Sequence, residues 1–354
     1  MTHDSPDSPD SLDSLDSPDS PDYFEMLSQV VELIENKQNF AITTHVRPDG
    51  DGIGSSLGLC WLLRSLGKTA EVIVRDPIPC SYQSLPGAGE IRTVSEIDRN
   101  YDAVFVIECS DIARPGIKNL ENQFTVNIDH HATSEHFGTV NWIDATASAV
   151  GEMIYNLCKA IGGRVTREIA ECCYMALVTD TGSFHFPNTT ERTLKVASEL
   201  IKAGVRPAQI SEAVYNSYPW SRIELLRRVL NTVKRDESGR VAWMRHSLEM
   251  TGESGAVDGD NNGFVNIPLA AKEVEAVVYM RETFPNTYRV SLRSKDGINV
   301  ARVAEKFGGG GHKNAAGCRV EGDWDYWEQK IVAAMIEAVN QVHGAKPELE
   351  MSLA

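Results

Sequence analysis

The sequence predicts an N-terminal α/β domain built on a mostly parallel sheet and a smaller C-terminal α+β domain, with a cleft between them. A chain of 354 residues is too long for one ordinary core and suits two domains of about 100–200 residues. From Tyr23 onward, short apolar strands alternate with helical stretches, which is typical of parallel α/β sheets. Near the C-terminus, strands come mainly first and a long helix comes last, which is typical of an α+β domain.

The elements of the first domain follow from its apolar periodicity. Helices are predicted at residues 24–36 and 53–66, and strands at residues 40–44, 70–75, 103–107 and 124–128. After Asp129 the pattern turns helical, with helices predicted at residues 147–161, 167–178, 191–203, 207–216 and 221–233. We therefore assign residues 23–205 to the first domain and residues 206–236 to a helical linker.

The second domain, residues 237–345, begins in a polar turn that contains Gly239. Its strands are predicted at residues 241–246, 274–281 and 288–293, and its helices at residues 300–307 and 324–342, with a glycine run between the helices. Residues 346–354 form a short tail. Residues 1–22 form another, with Asp at every third position and no Lys or Arg. The segment has almost no apolar residues and no basic partners whose interactions could offset the entropy lost on ordering, so we expect a disordered acidic tail.

Composition restricts the partners and the location. With 34 basic and 50 acidic residues the net charge is −16, which argues against binding long duplex nucleic acid over a broad basic face. No apolar run reaches the ~18 residues of a spanning helix, and no signal-peptide pattern is present, so we expect no membrane partner. The seven cysteines include no C-x-x-C pair and predict buried thiols in a cytoplasmic protein. The oligomeric state stays open, with a homodimer as one option.

The first candidate site follows the first predicted strand. His45, Asp49 and Asp51 lie on a Gly- and Pro-containing loop that opens a helix. Open α/β sheets bind ligands at this position, and nitrogen and oxygen donors suit a divalent metal. The alternative is that His45 is a loop histidine with satisfied hydrogen bonds and that the two Asp residues form turns and cap the helix.

Three more motifs place acidic or imidazole groups at the ends of apolar segments. Glu108 ends one strand, Asp129, His130 and His131 end the next, and Asp180 follows an apolar helical stretch. Any one of these groups could have a structural role. With the loop after the first strand, the ends of these two strands make three coincidences at one sheet edge, which are hard to ascribe to turn chemistry, so we expect a ligand site there.

The order of these motifs resembles the DHH phosphoesterase superfamily. His-x-x-x-Asp-x-Asp, a strand-end acid, Asp-His-His and Asp-Thr-Gly run from His45 to Gly182, and residues 308–317 match the glycine-rich signature of the accompanying domain. The resemblance covers nearly everything from Tyr23 to Val342. Within the superfamily the chain is most similar to the bacterial branch of nanoRNases and 3′-phosphoadenosine-5′-phosphate phosphatases.

The resemblance implies a site for two metal ions, usually Mn²⁺, with Mg²⁺ or Co²⁺ as alternatives. The ligands implied by motif position are His45 and Asp49 for one ion, Asp51, His130 and Asp180 for the other, and Glu108 between them. Charge supports this independently, because four carboxylates balance two divalent cations. Two such ions can lower the pKa of a shared water and stabilise the entering and leaving oxygens at phosphorus.

Glu108 departs from the family pattern, which usually has Asp at the bridging position. If the backbone stays in place, the extra methylene moves the carboxylate oxygens outward by ~1.5 Å, which still allows bridging. Asp111 is the alternative bridging ligand; otherwise it either supports a metal ligand without touching the metal or is an ordinary loop residue.

Further residues are implied to act on the substrate. Asp129 and His131 are expected to be orienting and substrate-facing groups of the catalytic centre. Arg47, beside the metal loop, is either a phosphate ligand or an ordinary surface residue.

The second domain is implied to supply the other substrate contacts. In the glycine run, backbone N–H groups of Gly310 and Gly311 can approach an anion, and His312 and Lys313 add positive charge; His312 is also a catalytic candidate. The alternative is that the glycine run is only a flexible turn. Arg293 ends a strand and suits a phosphate or a base face, the alternative being a solvated arginine.

Taken together, these features lead us to expect a metal-dependent hydrolase. We expect it to convert short oligoribonucleotides to nucleoside 5′-monophosphates and 3′-phosphoadenosine 5′-phosphate (PAP) to AMP, with oligomers of roughly two to five nucleotides preferred over long RNA. One alternative is a linear or cyclic dinucleotide phosphodiesterase, and another is a non-catalytic nucleotide-binding sensor.

Overall fold

The structure is a computed structural model that describes residues 21–257, 259–295 and 297–344. It divides into two compact units between Ser217 and Tyr218. This division lies inside residues 206–236, the stretch assigned from the sequence to a helical linker. No helix in the described part of the chain is both long enough and apolar enough to cross a membrane.

The first helix, α1 (Pro21–Asn36), includes the last two residues assigned from the sequence to the acidic tail. Proline is favourable at a helix start because it needs no N–H partner there, and Asp22 in the first turn complements the positive end of the helix dipole. The rest of that tail, residues 1–20, and the tail at residues 346–354 lie outside the described residues.

The first unit contains a six-stranded sheet with helices around it. Its strands are β1 (Asn39–Thr44), β2 (Thr69–Val74), β3 (Arg92–Thr93), β4 (Ala103–Ile107), β5 (Thr125–Asp129) and β6 (Val140–Ile143). After α1, its helices are α2 (Gly50–Ser65), α3 (Val150–Ala160), α4 (Arg167–Asp180), α5 (Glu191–Lys202) and α6 (Pro207–Tyr215). The strand order is β3-β2-β1-β4-β5-β6 and every pairing is parallel, which confirms the predicted sheet.

The two edge strands, β3 and β6, were not predicted from the sequence. They contain 2 and 4 residues. Such short strands lack the apolar run that marks a strand buried on both faces of a parallel sheet.

The strand order creates a switch point between β1 and β4. From β1 the chain proceeds outward to β2 and β3, whereas β4, β5 and β6 extend in the opposite direction. In open parallel sheets, the crevice at the carboxyl ends of the strands beside such a point binds ligands.

The buried helix α2 packs closely against α4. A Cβ atom on Gly54 would lie 2.5 Å from the carbonyl oxygen of Cys172, so only glycine permits this approach. At the other end of the contact, a Cβ on Gly50 would lie 2.4 Å from Cγ2 of Thr179. The first turn of α2 therefore lies beside the last turn of α4, which ends at Asp180.

The second unit contains another six-stranded sheet. Its strands are β7 (Lys234–Arg235), β8 (Val241–His246), β9 (Ala276–Phe284), β10 (Thr287–Ser294), β11 (Gly310–His312) and β12 (Ala315–Glu321), in the order β11-β12-β10-β9-β8-β7. Its helices are α7 (Trp220–Leu230), α8 (Leu248–Ser254), α9 (Asn266–Leu269), α10 (Val300–Glu305) and α11 (Trp324–Gly344). The β8–β9 pair is parallel and the other pairs are antiparallel, which confirms the predicted α+β class.

The two faces of this second sheet are covered differently. Tyr288, Val290 and Leu292 of β10 pack in one core with residues of α10 and α11. Val277 and Tyr279 of β9 point the other way, into a smaller core with residues of α7. Of the glycine run, for which a turn was one alternative, Gly310 and Gly311 belong to the edge strand β11, whereas Gly308 lies in a turn.

Candidate metal centre and active site

The first group of candidate ligands lies at the carboxyl ends of β1 and β4. Thr44 and Ile107 are paired in register, so the residues that follow them, His45 and Glu108, emerge side by side. Nε2 of His45 lies 3.2 Å from Oε2 of Glu108 and 3.7 Å from Oδ1 of Asp49. These three side chains can hold one metal ion.

The second group surrounds His130, which follows β5. Nε2 of His130 lies 3.7 Å from Oδ2 of Asp51 and 3.6 Å from Oδ2 of Asp180. Ligand atoms of these three residues and Glu108 all lie within 4.8 Å of one another. Glu108 thus belongs to both groups, and a third combination joins it to His130 and His131.

Asp51 is held by groups that the sequence did not identify. Its carboxylate accepts hydrogen bonds from Oγ of Ser55 at 2.7 Å, from the backbone N–H of Val150 at 2.8 Å and from that of Gly151 at 3.1 Å. The two N–H groups belong to the start of α3, where backbone donors have no partner within the helix. The N-terminus of α3 therefore fixes the orientation of a fully buried carboxylate.

Both candidate ligand histidines, His45 and His130, turn the same ring nitrogen toward the candidate metal groups. Nδ1 of His45 lies 3.0 Å from the carbonyl oxygen of Val46, and Nδ1 of His130 lies 3.0 Å from that of Ala147. A carbonyl can only accept, so Nδ1 carries the proton and, in the neutral ring, Nε2 offers a lone pair. The buried Nε2 of His130 has no hydrogen-bond partner among the described residues. An unpartnered nitrogen among converging carboxylates fits a divalent metal ion.

Burial and mutual repulsion raise the pKa values of Asp51, Glu108 and Asp180, whereas at Asp49 the contact with His45 outweighs burial and lowers the pKa to about 2. Burial, followed by the charge of Asp49, raises the pKa of Glu108 well above its usual value. Burial and the neighbouring Asp51 raise the pKa of Asp180 to about 7. Burial alone would lower the pKa of His45, but its contacts with Asp49 and Glu108 outweigh burial and raise the pKa to about 10. Protons therefore occupy donor positions that a metal ion would need.

Because protons compete with the metal ion for these side chains, metal binding should depend on pH. A cation must displace them, so its apparent affinity should fall as the pH falls through about 7, the pKa of Asp180. We expect the apparent dissociation constant for Mn²⁺ to rise at least about tenfold per pH unit between pH 7 and pH 5. Titration calorimetry in buffers of different ionisation enthalpy would measure both the affinity and the protons released. An affinity independent of pH, with no proton release, would contradict the proposed ligands.

Glu108 and Asp111, the two alternatives for the bridging ligand, have different surroundings in the structure. Asp111 accepts hydrogen bonds at Oδ1 from the backbone N–H groups of Ala113, at 2.9 Å, and Arg114, at 3.1 Å. It closes a turn and belongs to none of the candidate metal groups among the described residues.

The backbone at Glu108 is in the left-handed region, with φ of 57°. This conformation costs a residue with a Cβ roughly 1–2 kcal/mol. Its backbone N–H donates to the carbonyl of Ile128 at 3.0 Å, so pairing with the neighbouring strand helps to hold it. The carboxylate is thereby directed to the switch point of the sheet.

Gly52 lies against Glu108, the residue common to the candidate metal groups, and gives a second testable prediction. A Cβ on Gly52 would lie 2.4 Å from Oγ1 of Thr44 and 3.0 Å from Oε2 of Glu108. Gly52→Ala should displace the carboxylate of Glu108 and weaken Mn²⁺ binding by about 10–100-fold, a loss typical of changes that disturb the orientation of a metal ligand. Gly89→Ala is the matched control, because a Cβ there has no neighbour within 4 Å. Unchanged metal affinity in Gly52→Ala, measured by calorimetry, would contradict this placement of Glu108.

Asp129 and His131 form a pair beside the metal groups. Oδ1 of Asp129 lies 2.7 Å from Nδ1 of His131 and accepts the backbone N–H of His130 at 2.8 Å. Asp129 is fully buried, whereas His131 is partly exposed. Burial would raise the pKa of Asp129, but its contact with His131 outweighs burial and lowers the pKa. Nε2 of His131 is then the nitrogen left for other partners.

Asn188 supports Asp180 and was also missed from the sequence. Its Nδ2 donates to the carbonyl oxygens of Ser148, at 3.1 Å, and Asp180, at 3.2 Å. It thus ties the end of α4 to the loop that carries the carbonyl acceptor of His130. Backbone groups such as that of Ala147 leave no signal in a sequence, whereas Asn188, in a polar stretch just after Asp180, was a weak signal.

Arg47 is the remaining candidate of the first unit. Its side chain is exposed, and its backbone N–H donates to Oδ2 of Asp76 at 2.8 Å. Like Glu108, it has a positive φ, 53°. The loop between β1 and α2 is therefore anchored at Arg47, while the guanidinium lies at the surface.

The candidates of the second unit lie on neighbouring strands. In the register of the sheet, Ala315 of β12 pairs with Arg293 of β10 on one side and His312 of β11 on the other. Paired residues point to the same face, so Arg293 and His312 flank a small side chain. Burial lowers the pKa of Arg293, which forms no ion pair with a described carboxylate.

The glycines and Lys313 complete this part of the second unit. Gly310 pairs with Gly317, and a Cβ on Gly311 would lie 2.6 Å from the carbonyl oxygen of Ala315. Lys313 is exposed in the β11–β12 turn, and its carbonyl accepts the N–H of Val300 at 2.7 Å. The turn is thus tied to the start of α10.

Two family models match the chain. The model described as the N-terminal domain of the DHH family matches residues 39–177, and the DHHA1 domain model matches residues 247–344. The first range contains every candidate ligand except Asp180, which follows it by three residues. The second range contains Arg293 and the glycine run.

Curated relatives match along most of their length. The bifunctional oligoribonuclease and PAP phosphatase NrnA of Thermus thermophilus is 32% identical over 317 residues, 89% of this chain and 94% of the relative. The NrnA of Bacillus subtilis, with the same description, is 29% identical over 327 residues, 90% of this chain and 100% of the relative. Among solved structures, an exopolyphosphatase-related protein from Bacteroides fragilis matches with a TM-score of 0.84 and 28% identity, covering 90% of this chain and 98% of that chain.

Proposed function

The chain belongs to the DHH family of phosphoesterases, and from that premise we propose that it hydrolyses short oligoribonucleotides to nucleoside 5′-monophosphates and PAP to AMP. The names of the two NrnA relatives support these substrates. The observation that carries the proposal is the shared position of Glu108 between a group with His45 and a group with His130. Two adjoining donor groups suit a pair of metal ions acting on one phosphate.

We propose Mn²⁺ as the metal, held by His45, Asp49 and Glu108 on one side. On the other side Glu108 is joined by Asp51, His130 and Asp180. Mixed imidazole and carboxylate donors suit this borderline-hard cation. When bound, the ions would lower the pKa of the attacking water and offset negative charge developing on the phosphate.

The pair of Asp129 and His131 is proposed to serve the leaving group. Asp129 accepts Nδ1–H of His131 and so fixes the orientation of the ring. Nε2 of the partly exposed ring can then donate a hydrogen bond to a phosphate oxygen or a proton to the leaving oxygen. This role resembles that of a histidine oriented by a buried carboxylate in other hydrolytic sites.

The second unit is proposed to contribute to substrate binding through Arg293, His312, Lys313 and the N–H groups of Gly310 and Gly311. The half-buried guanidinium of Arg293, without a carboxylate partner among the described residues, suits a phosphate. Arg47 is proposed to provide positive charge near the metal groups.

Arg293 gives a third testable prediction. Arg293→Ala should raise KM for a dinucleotide about tenfold with a smaller effect on kcat, because the charge-assisted contact acts in binding. Arg302→Ala, which removes an exposed arginine of α10, is the matched control and should change neither constant. If instead kcat fell as much as kcat/KM and KM stayed unchanged, Arg293 would stabilise the transition state and not the bound substrate.

The proposed activity can be tested on the purified full chain with Mn²⁺. We expect release of AMP from linear pApA, from a pentanucleotide and from PAP, and slower attack on RNA of about 20 nucleotides. Binding without turnover would favour a sensor. Turnover of cyclic dinucleotides alone would favour a cyclic dinucleotide phosphodiesterase, and faster attack on the long RNA would contradict the preference for short substrates.

We also propose a cytoplasmic location. All seven cysteines are free thiols, six of them buried, which suits a reducing compartment. Fractionation of the native host would test this location.

A further inference from the structure

Arg192, in the first turn of α5, connects two buried carboxylates that lie before and after one short segment of the first unit. Its Nη2 donates to Oδ2 of Asp144 at 2.8 Å, and its Nε donates to Oε1 of Glu152. Asp144 directly follows β6, Glu152 lies in the first turn of α3, and both side chains are fully buried. We name the residues between them, 145–151, the α3 entry segment.

Two hydroxyl groups of the α3 entry segment bind the same carboxylates. Oγ1 of Thr146 donates to Oδ1 of Asp144 at 2.6 Å. Oγ of Ser148 donates to Oε2 of Glu152 at 2.7 Å. Each carboxylate therefore contacts Arg192 with one oxygen and the segment with the other, so the guanidinium holds both ends of the segment in place.

The backbone of the α3 entry segment holds two candidate metal ligands, His130 and Asp51. The carbonyl oxygen of Ala147 lies 3.0 Å from Nδ1 of His130. The backbone N–H groups of Val150 and Gly151 donate to the carboxylate of Asp51 at 2.8 and 3.1 Å. Such hydrogen bonds orient metal ligands, so a displaced segment would turn both the imidazole ring and the carboxylate.

The candidate ligands His45 and Asp49 are held by another part of the chain. Nδ1 of His45 faces the carbonyl oxygen of Val46. Oδ1 of Asp49 accepts the backbone N–H of Gly52 at 3.0 Å. Both partners belong to the loop after β1 and the start of α2, so a displaced α3 entry segment should disturb one donor group more than the other.

Three roles for Arg192 predict different metal affinities. If only its positive charge mattered, its removal would tighten metal binding, because like charges repel. If it only offset the charge of the buried carboxylates, its removal would lower the melting temperature and leave the metal affinity unchanged. If it positions the segment, its removal should weaken metal binding at the donor group that the segment supports.

We propose that Arg192 is a positioning residue of the metal centre, which holds the α3 entry segment so that its backbone orients His130 and Asp51. This inference rests on the proposed function and extends the metal centre to a residue that supplies no ligand. The guanidinium acts through Asp144 and Glu152, because its planar fork contacts both carboxylates at once.

The test compares Mn²⁺ binding by the wild-type full chain and by Arg192→Gln, using titration calorimetry. We expect one of the two Mn²⁺ binding steps to weaken about tenfold, the lower end of the loss seen when an orienting contact is removed. The other step should stay within about threefold. Unchanged or tighter binding at both steps would overturn the proposal, because it would assign Arg192 to folding or to charge repulsion alone.

Two control variants separate positioning from charge and from stability. Arg167→Gln removes the same charge from an exposed arginine of α4, which lies 2.7 Å from Glu171, and should change neither binding step by more than about twofold. Ile73→Val removes a buried methylene group from β2, on the far side of the sheet from β6. It should lower the melting temperature without weakening Mn²⁺ binding.

The double variant Arg192→Gln and Glu152→Gln is measured as well, in case the single variant does not fold. It removes one positive and one negative charge together, so the net charge of the cluster is kept while the contacts of Arg192 are lost. Its affected Mn²⁺ step should be as weak as that of Arg192→Gln. Wild-type affinity in this variant would overturn the proposal.

A measurement in EDTA tests the positioning role without metal. Amide hydrogen exchange at Val150 and Gly151 should be at least about tenfold faster in the Arg192 variants than in Ile73→Val, because the N–H groups lose their fixed partner. Equal exchange rates would overturn the proposal. Absence of hydrolysis by wild type would overturn the proposed function and leave this exchange result readable.

Discussion

Glu108→Gln is expected to abolish hydrolysis, with a loss of at least about 10³-fold in kcat, a size seen when transition-state charge stabilisation is removed. The substitution keeps the shape of the side chain but removes the charge of the one residue common to all three candidate metal groups. Mn²⁺ affinity should fall with activity. Both are measured on the purified variant, by product release and by calorimetry.

The matched control is Asp111→Asn, three residues farther along the chain. Asp111 accepts two backbone N–H groups at Oδ1, and an asparagine oxygen can accept the same bonds. This variant should keep activity and metal affinity within about threefold. Glu108→Asp, which retains the charge, should keep measurable activity. If Gln at 108 were tolerated and Asn at 111 were not, the assignment of the shared ligand would be wrong.

Removal of metal should lower the melting temperature by roughly 8–16 °C. A ligand at about 1,000 times its dissociation constant stabilises the folded state by about 4 kcal/mol. The melting temperature of a domain of this size changes by about 2–4 °C for each kcal/mol of stability. The physical cause is the loss of the counter-charge for four converging carboxylates: Asp49, Asp51, Glu108 and Asp180. Differential scanning fluorimetry with Mn²⁺ and with EDTA measures the shift.

Glu108→Gln provides the control for this thermal shift as well. It has one carboxylate fewer to repel its neighbours and binds metal weakly, so its melting temperature should depend less on EDTA. An equal melting temperature of the wild type in Mn²⁺ and in EDTA, with removal of the metal verified by elemental analysis, would argue against an internal metal site.

Much of the fold and of the candidate site was predictable from local patterns. Strands separated by helices imply parallel pairing, and parallel strands place their carboxyl ends at one edge. The groups that follow those strands, His45, Glu108 and His130, could therefore be expected to lie together. Element bounds were less certain, since α2 begins at Gly50 and the short strands β3 and β6 were missed.

Other features depend on contacts between distant segments. The hydrogen bonds to Asp51 come from Val150 and Gly151, about a hundred residues away, and they arise from backbone atoms that every residue carries. The different placement of Glu108 and Asp111 also required three dimensions, because both are acids near the end of β4, whereas only Glu108 lies among the candidate metal ligands and Asp111 closes a turn.

The sequence by itself determined which chemical groups are present, their order and the class of fold that carries them, because periodicity and motif spacing are local properties. Only the tertiary structure decided which donors meet, which imidazole nitrogen faces the carboxylates and which arginines stand side by side. Residues 281, 289 and 319 are ordinary positions along the chain, and the antiparallel register of β9, β10 and β12 alone aligns them. The turn between β9 and β10 fixes the register of that hairpin, whereas β12 meets β10 only after α10 and β11 have intervened, so its register depends on how the whole unit packs.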